Sequence, residues 1–194
     1  MDPLFSFDFS LTSVPSAAMS SLHHQVKFRI QTSPLPTNAR AHGHYMIGQI
    51  CKQLTRQEDK IKCPIILRAN PKILRAKNYL EFSSAVLELG MHKGIEGQKF
   101  LKGLVKAKSS PAIAECANFC YDAVVNGFKG AMNELKDDPM TANYDAGVVS
   151  DGPATCERAL ADEHIVDPAI SALNNRIMLL SAIASYAIDK LIAN

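Results

Sequence analysis

The sequence predicts an all-α protein, an up-down-up-down four-helix bundle with an N-terminal helical hairpin. Two features predict the bundle. Apolar residues recur every three or four positions through most of residues 71–194, and patterns typical of strands are nearly absent. A good helix-capping residue stands directly before proline four times, at Asn70-Pro71, Ser110-Pro111, Asp138-Pro139 and Asp167-Pro168. Because proline at the first helical position loses no hydrogen bond, these dipeptides predict four helix starts.

The four helices are predicted to cover residues 71–108, 111–136, 139–163 and 168–192. Their connections are short, so neighbouring helices should run antiparallel. The last helix has the clearest three-four pattern, formed by Ile170, Leu173, Ile177, Leu180, Ala184, Ala187 and Leu191.

Two of these helices carry residues that weaken the pattern. In the first helix, the apolar stripe is interrupted by Gly90, Gly94 and Gly97. In the third helix, Gly152-Pro153 predicts a break or a kink, because proline removes a backbone hydrogen bond.

The first part of the chain is predicted to be an irregular tail, residues 1–45, followed by one folded domain, residues 46–194. Serine, threonine and proline recur in the tail without a sustained period. Residues 1–21 lack a basic stretch and an unbroken apolar stretch, so they do not resemble a secretory signal. The histidines of His23-His24 and His42-Gly43-His44 are interpreted as solvated rather than as metal ligands.

Residues 46–69 are predicted to form short helices that fold back on each other. Cys51 and Cys63 lie among seven isoleucine and leucine residues in this segment. The segment is too short to bury its own apolar face, so it should dock on the bundle.

Composition excludes two classes of partner. The net charge is +2 and no basic stripe suggests nucleic acid. The sequence contains no run of about eighteen apolar residues, so no membrane span is predicted. Hydrophobic residues make up 47% of the chain, enough for a sizeable core.

Five cysteines stand at positions 51, 63, 116, 120 and 156. Their spacing does not suit zinc, which prefers close CxxC-like pairs or histidines at ligand spacing. Cys116 and Cys156 fall on neighbouring antiparallel helices, where a disulfide would stabilise the fold by about 4 kcal/mol. A disulfide framework is the favoured interpretation and implies an oxidising compartment, with reduced core cysteines as the alternative.

The sequence contains none of the common catalytic motifs. The chain has no GxSxG, P-loop, GxGxxG or HExxH pattern. The acidic pairs Asp137-Asp138 and Asp162-Glu163 stand at helix ends and are interpreted as caps. Cys120 has no neighbouring base to lower its pKa and is interpreted as a buried free thiol. We therefore predict a protein that is not an enzyme and needs no cofactor or metal.

A basic side of the first helix is formed by Lys99, Lys102, Lys106 and Lys108. It is interpreted as a solvated face, with an acidic partner or a polysaccharide as the alternative.

An ordered set of short motifs in residues 46–194 resembles the plant invertase and pectin methylesterase inhibitor family. The resemblance covers four cysteines with their neighbours and the final helix. The motifs are Ile50-Cys51 with Cys63, Ala114-Glu115-Cys116, Tyr121-Asp122-Ala123, Ala131 with Leu135, and Ala154-Thr155-Cys156-Glu157-Arg158-Ala159.

The resemblance implies the fold of a helical hairpin and a four-helix bundle with two disulfides, Cys51–Cys63 and Cys116–Cys156, and leaves Cys120 free. Family members bind pectin methylesterase or invertase one to one and cover its active site. They act in the apoplast, in the cell wall or in the vacuole.

Invertase inhibitors of the family place a Pro-Lys-Phe segment against acidic catalytic residues. The matching place here holds Asp138, Pro139, Met140 and Thr141, which are the candidate partner-binding residues. Neither the lysine nor the aromatic ring is present, so a cation that could meet catalytic carboxylates is missing. The alternative to an inhibitor is a helical-bundle interaction protein of the same family that does not inhibit.

Overall fold

The computed structural model describes residues 37–193, with side chains from residue 41 onward. The described residues form α-helices and one π-helical turn, without a strand. In chain order these are α1 (Thr37–Gln53), α2 (Gln57–Arg68), α3 (Pro71–Arg75), α4 (Tyr79–Ala107), α5 (Pro111–Glu115), the π turn (Cys116–Cys120), α6 (Tyr121–Glu134), α7 (Pro139–Val148), α8 (Asp151–Asp162) and α9 (Pro168–Ile192). No helix in this part of the chain has the length and apolarity that crossing a membrane requires.

The bundle has four columns, as predicted. They are α4, then α5 continued through the π turn into α6, then α7 with α8, and finally α9. The long helix α4 packs on α6 and α9, and α7 packs on the same two helices from the opposite side. The four columns therefore close into a ring around one core, and the prediction of a four-helix bundle is confirmed.

All four predicted helix starts are capped by the predicted side chains. Asn70 accepts hydrogen bonds from the backbone N–H groups of α3, and Asp167 does so for α9. Ser110 accepts one from Ile113, and Asp138 accepts one from Thr141. Each cap satisfies donors that have no partner within the helix.

The helix predicted over 71–108 is in fact two helices. The chain is extended at Ala76, and α4 starts anew after Asn78, whose side chain accepts from Glu81 N–H at 2.9 Å. The Glu81 carboxylate in turn accepts from Lys77 N–H at 2.9 Å. This reciprocal arrangement resembles a capping box, and the Asn78-x-x-Glu81 spacing was its signal in the sequence.

The helix predicted over 139–163 is interrupted, but two residues before the predicted break. Helix α7 ends at Val148 and α8 begins at Asp151, so Pro153 falls in the first turn of α8. Backbone N–H groups in a first turn have no partner within the helix, so proline costs little there. Gly152 permits this arrangement, because a Cβ atom at this position would lie 2.6 Å from the carbonyl oxygen of Cys120.

The three glycines of α4 do not weaken the helix interface as the sequence suggested. Gly90, Gly94 and Gly97 are buried. They lie against Phe128, Val124 and Tyr121, respectively, so the missing side chains let α4 approach α6 closely.

The N-terminal hairpin consists of α1 and α2, and it docks on α3 and on the bundle, as predicted. Helix α1 begins at Thr37, so residues 37–45, which the sequence analysis assigned to the tail, are helical. Their polar composition hid the helix, since its buried apolar side chains begin only at Met46. His42 and His44 are exposed, and His23-His24 lies outside the described residues.

Two disulfides connect the described cysteines in the pairs that the resemblance implies. Cys51–Cys63 joins α1 to α2 with a Cα–Cα distance of 5.7 Å. Cys116–Cys156 joins the π turn to α8 with a Cα–Cα distance of 4.8 Å. Cys120 is a buried free cysteine.

Candidate protein-binding surface

The four candidate partner-binding residues form the start of α7 on the surface of the bundle. Asp138 accepts from Thr141 twice, from the hydroxyl at 2.7 Å and from the backbone N–H at 3.1 Å. Both bonds lower the pKa of the Asp138 carboxyl, and the bond from the Thr141 hydroxyl has the larger effect. Pro139 is half-buried, whereas Met140 is 66% exposed.

Met140 begins an exposed apolar stripe that we call the α7 outer stripe. It consists of Met140, Tyr144 and Val148, which are 66%, 71% and 37% exposed. Their spacing of four residues places them on one side of the helix over about 12 Å. Of the three, only Met140 was predicted from the sequence, although large apolar residues at intervals of four were its available signal.

The opposite side of α7 is fixed to α9 by hydrogen bonds. The Ser181 hydroxyl donates to the Ala146 carbonyl at 2.6 Å, near the end of α7. The Ser185 hydroxyl donates to Asn143 Oδ1 at 2.5 Å. The Asn143 amide donates to the Asp189 carboxylate, also at 2.5 Å. These bonds set the position and rotation of α7, and thus of its outer stripe.

These anchoring residues were missed by the sequence analysis. Ser181, Ser185 and Asp189 stand four residues apart in a helix that is otherwise largely apolar. A polar row at helical spacing indicates a second contact face, and it was the available signal.

A polar network lies beside the Cys116–Cys156 disulfide, with Tyr121 and Asn174 buried and Glu157 half-buried. The Tyr121 hydroxyl donates to Asn174 Oδ1 at 2.8 Å. The Asn174 amide donates to Glu157 at 2.8 Å and to Cys156 Sγ at 3.4 Å. The network joins α6, α8 and α9 at one point, which stiffens the bundle around the disulfide.

The groups considered for catalysis have structural roles. Burial raises the pKa of Cys120 to about 11, and Glu115 adds to the shift, so the thiol stays protonated at neutral pH. Glu163 accepts from Ser110 Oγ at 2.7 Å and from Ala112 N–H at 2.9 Å, and thus caps α5 from across the bundle. Among the described residues, no group of three potential ligands could hold a metal ion.

Comparisons with known proteins identify the fold. No family model matches the sequence, and no curated protein matches it. The crystal structure of mutant form A of a pectin methylesterase inhibitor from Arabidopsis is similar, with a TM-score of 0.62 at 18% identity. The match covers 74% of this chain and 95% of that one.

A second crystal structure, of a pectin methylesterase inhibitor from Arabidopsis thaliana, gives a TM-score of 0.55 at 18% identity. It covers 76% of this chain and 96% of that one. Both similar proteins are described as pectin methylesterase inhibitors. This chain has the all-helical fold of the pectin methylesterase inhibitors.

Proposed function

We propose that this protein inhibits a plant cell-wall or vacuolar carbohydrate-active enzyme, pectin methylesterase or invertase, by forming a one-to-one complex over its active site. One observation carries the proposal: an apolar stripe is exposed on a helix that hydrogen bonds hold from behind. It occurs on a fold shared with proteins described as pectin methylesterase inhibitors.

Inhibition would be steric. The α7 outer stripe supplies apolar area that a partner can cover, and exposed apolar patches of this kind mark interaction sites. Because α7 is already fixed to α9, binding orders few additional groups and less free energy is lost on association. The mechanism needs no reactive side chain, consistent with the structural roles of Cys120 and Glu163.

Pectin methylesterase is the first enzyme to test. At the start of α7, Met140 stands where invertase inhibitors present a lysine, and the neighbouring Asp138 is exposed with a lowered pKa. An ionised carboxylate there would repel the acidic catalytic residues of invertase. The Asp138–Thr141 segment is thus proposed as part of a contact surface, without the cationic role it has in invertase inhibitors.

The proposed location is the cell wall or the vacuole. It rests on the family resemblance and on the two disulfides, which persist in oxidising compartments.

The test is a titration of purified pectin methylesterase and acid invertase with the recombinant protein. We expect pectin methylesterase activity to fall linearly to an endpoint near one equivalent. Full activity of both enzymes at micromolar inhibitor would refute the proposal and leave the alternative, a bundle that binds a partner without inhibiting it. The loss of the Lys-Phe pair favours that alternative.

Two variants test the surface itself. Met140→Glu and Tyr144→Ser should each weaken inhibition about tenfold or more, because truncated or charged residues at an interface centre lose apolar contact. Ile61→Ser is the matched control, since Ile61 is 58% exposed on α2, away from α7. Equal inhibition by all three variants would place the contact surface elsewhere on the bundle.

A further inference from the structure

A groove separates the N-terminal hairpin from the bundle, on a different face from the α7 outer stripe. Its walls are α2 and α4, its floor is the first half of α9, and its volume is about 910 Å³. A second hollow of about 640 Å³ continues it toward α3, and Ile66, Lys93 and Arg176 line both. Along α9 the two extend from Pro168 to Leu180, about 18 Å of helix.

Two large apolar side chains on the walls of the groove are exposed to solvent. Ile65 on the α2 wall is 66% exposed, and Phe100 on the α4 wall is 41% exposed. Leu173 and Leu179 form an apolar floor between them. Covering these side chains would remove apolar surface from water, which favours association.

The charges along the groove leave one cation without a partner. Asp59 is held by Arg56 at 2.8 Å, and Glu96 by Lys93 at 2.5 Å. In the second hollow, Glu88 is held by Lys72 at 2.6 Å. Arg176, where the two hollows meet, forms no ion pair or hydrogen bond among the described residues. The groove can therefore offer a guanidinium to an incoming carboxylate without first breaking an internal bond.

We propose that this groove binds an acidic amphipathic peptide segment of a partner protein, with apolar side chains on Ile65 and Phe100 and a carboxylate on Arg176. The length of the groove fits three helical turns or five to six extended residues. Its open side fits a peptide better than a small molecule, because small-molecule sites enclose most of their ligand. The first half of α9 forms this groove, whereas Ser181, Ser185 and Asp189 in its second half hold α7. Both surfaces can be occupied together.

The experiment measures fluorescence anisotropy of a fluorescein-labelled, twelve-residue amphipathic peptide with leucines on one face and glutamates on the other. Two companion peptides replace the glutamates by lysine or the leucines by serine. We expect the leucine–glutamate peptide to bind the full-length protein at micromolar concentration, and both companions to bind at least tenfold more weakly.

Protein variants locate the site. Arg176→Gln and Ile65→Ser should each weaken binding about tenfold, as loss of one charge-assisted bond or one apolar contact predicts. Arg75→Gln and Ile61→Ser are the controls, because both residues are exposed and neither lines the groove. Three outcomes would overturn the proposal. The controls could weaken peptide binding as much as the groove variants do, Arg176→Gln could leave binding unchanged, or the peptide could fail to bind even at millimolar concentration.

Two further readouts separate this proposal from other outcomes. Sedimentation of the unliganded protein as a dimer that Ile65→Ser dissociates would assign the groove to a second copy and overturn it. Inhibition of pectin methylesterase should be unchanged in Arg176→Gln. A failure of the peptide site would therefore leave the proposed inhibitory function untouched, and a failure of inhibition would leave the peptide site untouched.

Discussion

The two disulfides of this protein occupy different surroundings. Cys51–Cys63 joins two short helices over a sequence separation of 12 residues, and Cys51 keeps 7% of its surface exposed. Cys116–Cys156 joins two bundle columns over a separation of 40 residues, and both cysteines are fully buried beside the Tyr121–Asn174–Glu157 network.

From this difference we expect the same bond to have different roles in the two places. In the hairpin, buried side chains such as Ile47, Ile50 and Leu67 pack on the rest of the domain. The disulfide there joins α1 only to α2, which is a wall of the groove. In the bundle, the disulfide is embedded in a core that all four columns share. Its loss should weaken the whole domain, whereas the loss of the hairpin disulfide should act locally.

Replacing both cysteines of the bundle pair, Cys116→Ala with Cys156→Ala, should have the largest effect. The chain-entropy model gives a loss of about 4 kcal/mol for a loop of this length. Alanine avoids burying an unpaired hydroxyl. Urea unfolding followed by circular dichroism measures the loss, and a midpoint within error of the wild type would contradict the embedded role.

Cys51→Ala with Cys63→Ala should cost about 3 kcal/mol at most, because the closed loop is shorter. We expect this loss to appear mainly as local opening of α1 and α2. Limited proteolysis checks it: cleavage within residues 46–70 should accelerate while the bundle stays intact. Acceleration spread evenly over the chain would show that hairpin and bundle unfold as one unit.

The reactivity of the Cys120 thiol measures whether the bundle is folded, independently of the hairpin. With its pKa raised from 9.0 to about 11, it should carry about a hundredfold less thiolate at pH 8 than an unperturbed cysteine. Native protein should thus react slowly with an aromatic disulfide reagent, and unfolded protein rapidly. The hairpin variant should keep this protection and the bundle variant should lose part of it.

The same pKa shift sets a pH dependence. As the pH rises, the Cys120 thiol ionises in the unfolded chain before it ionises in the folded chain. Its contribution to the free energy of unfolding is therefore complete below pH 9 and is lost as the pH approaches 11. Cys120→Ala should flatten the stability profile in that window.

The sequence predicted the bundle better than it predicted the hairpin and the surfaces. Caps such as Asp138 and Asp167 act through neighbouring backbone, so local sequence reveals them. The start of α1 at Thr37 precedes Met46, the first buried apolar side chain of the described residues, so no apolar period marks it in the sequence. The groove and the anchoring of Asn143 by Ser185 and Asp189 arise between helices distant in sequence, and only the folded chain brings them together.

Tyr121→Phe tests the network beside the bundle disulfide. The variant removes a buried hydroxyl that donates to Asn174 at 2.8 Å, and leaves the amide oxygen without that donor. A loss of about 1 to 2 kcal/mol is expected. Denaturant unfolding measures it, with Tyr144→Phe as the control because Tyr144 is exposed on α7. An equal effect of the two substitutions would show that the buried network adds little.

The smallest effect is expected for the exposed ion pair between α3 and the bundle. Lys72 on α3 contacts Glu88 on α4 at 2.6 Å, but the lysine side chain is 67% exposed. Water and salt screen such a pair, so Lys72→Gln should cost less than about 0.5 kcal/mol, and less still in 1 M salt. Thermal unfolding at low and high salt measures both values. A loss of about 2 kcal/mol that persists in high salt would mean that this ion pair, and not apolar docking together with the disulfide, holds the hairpin side of the groove in place.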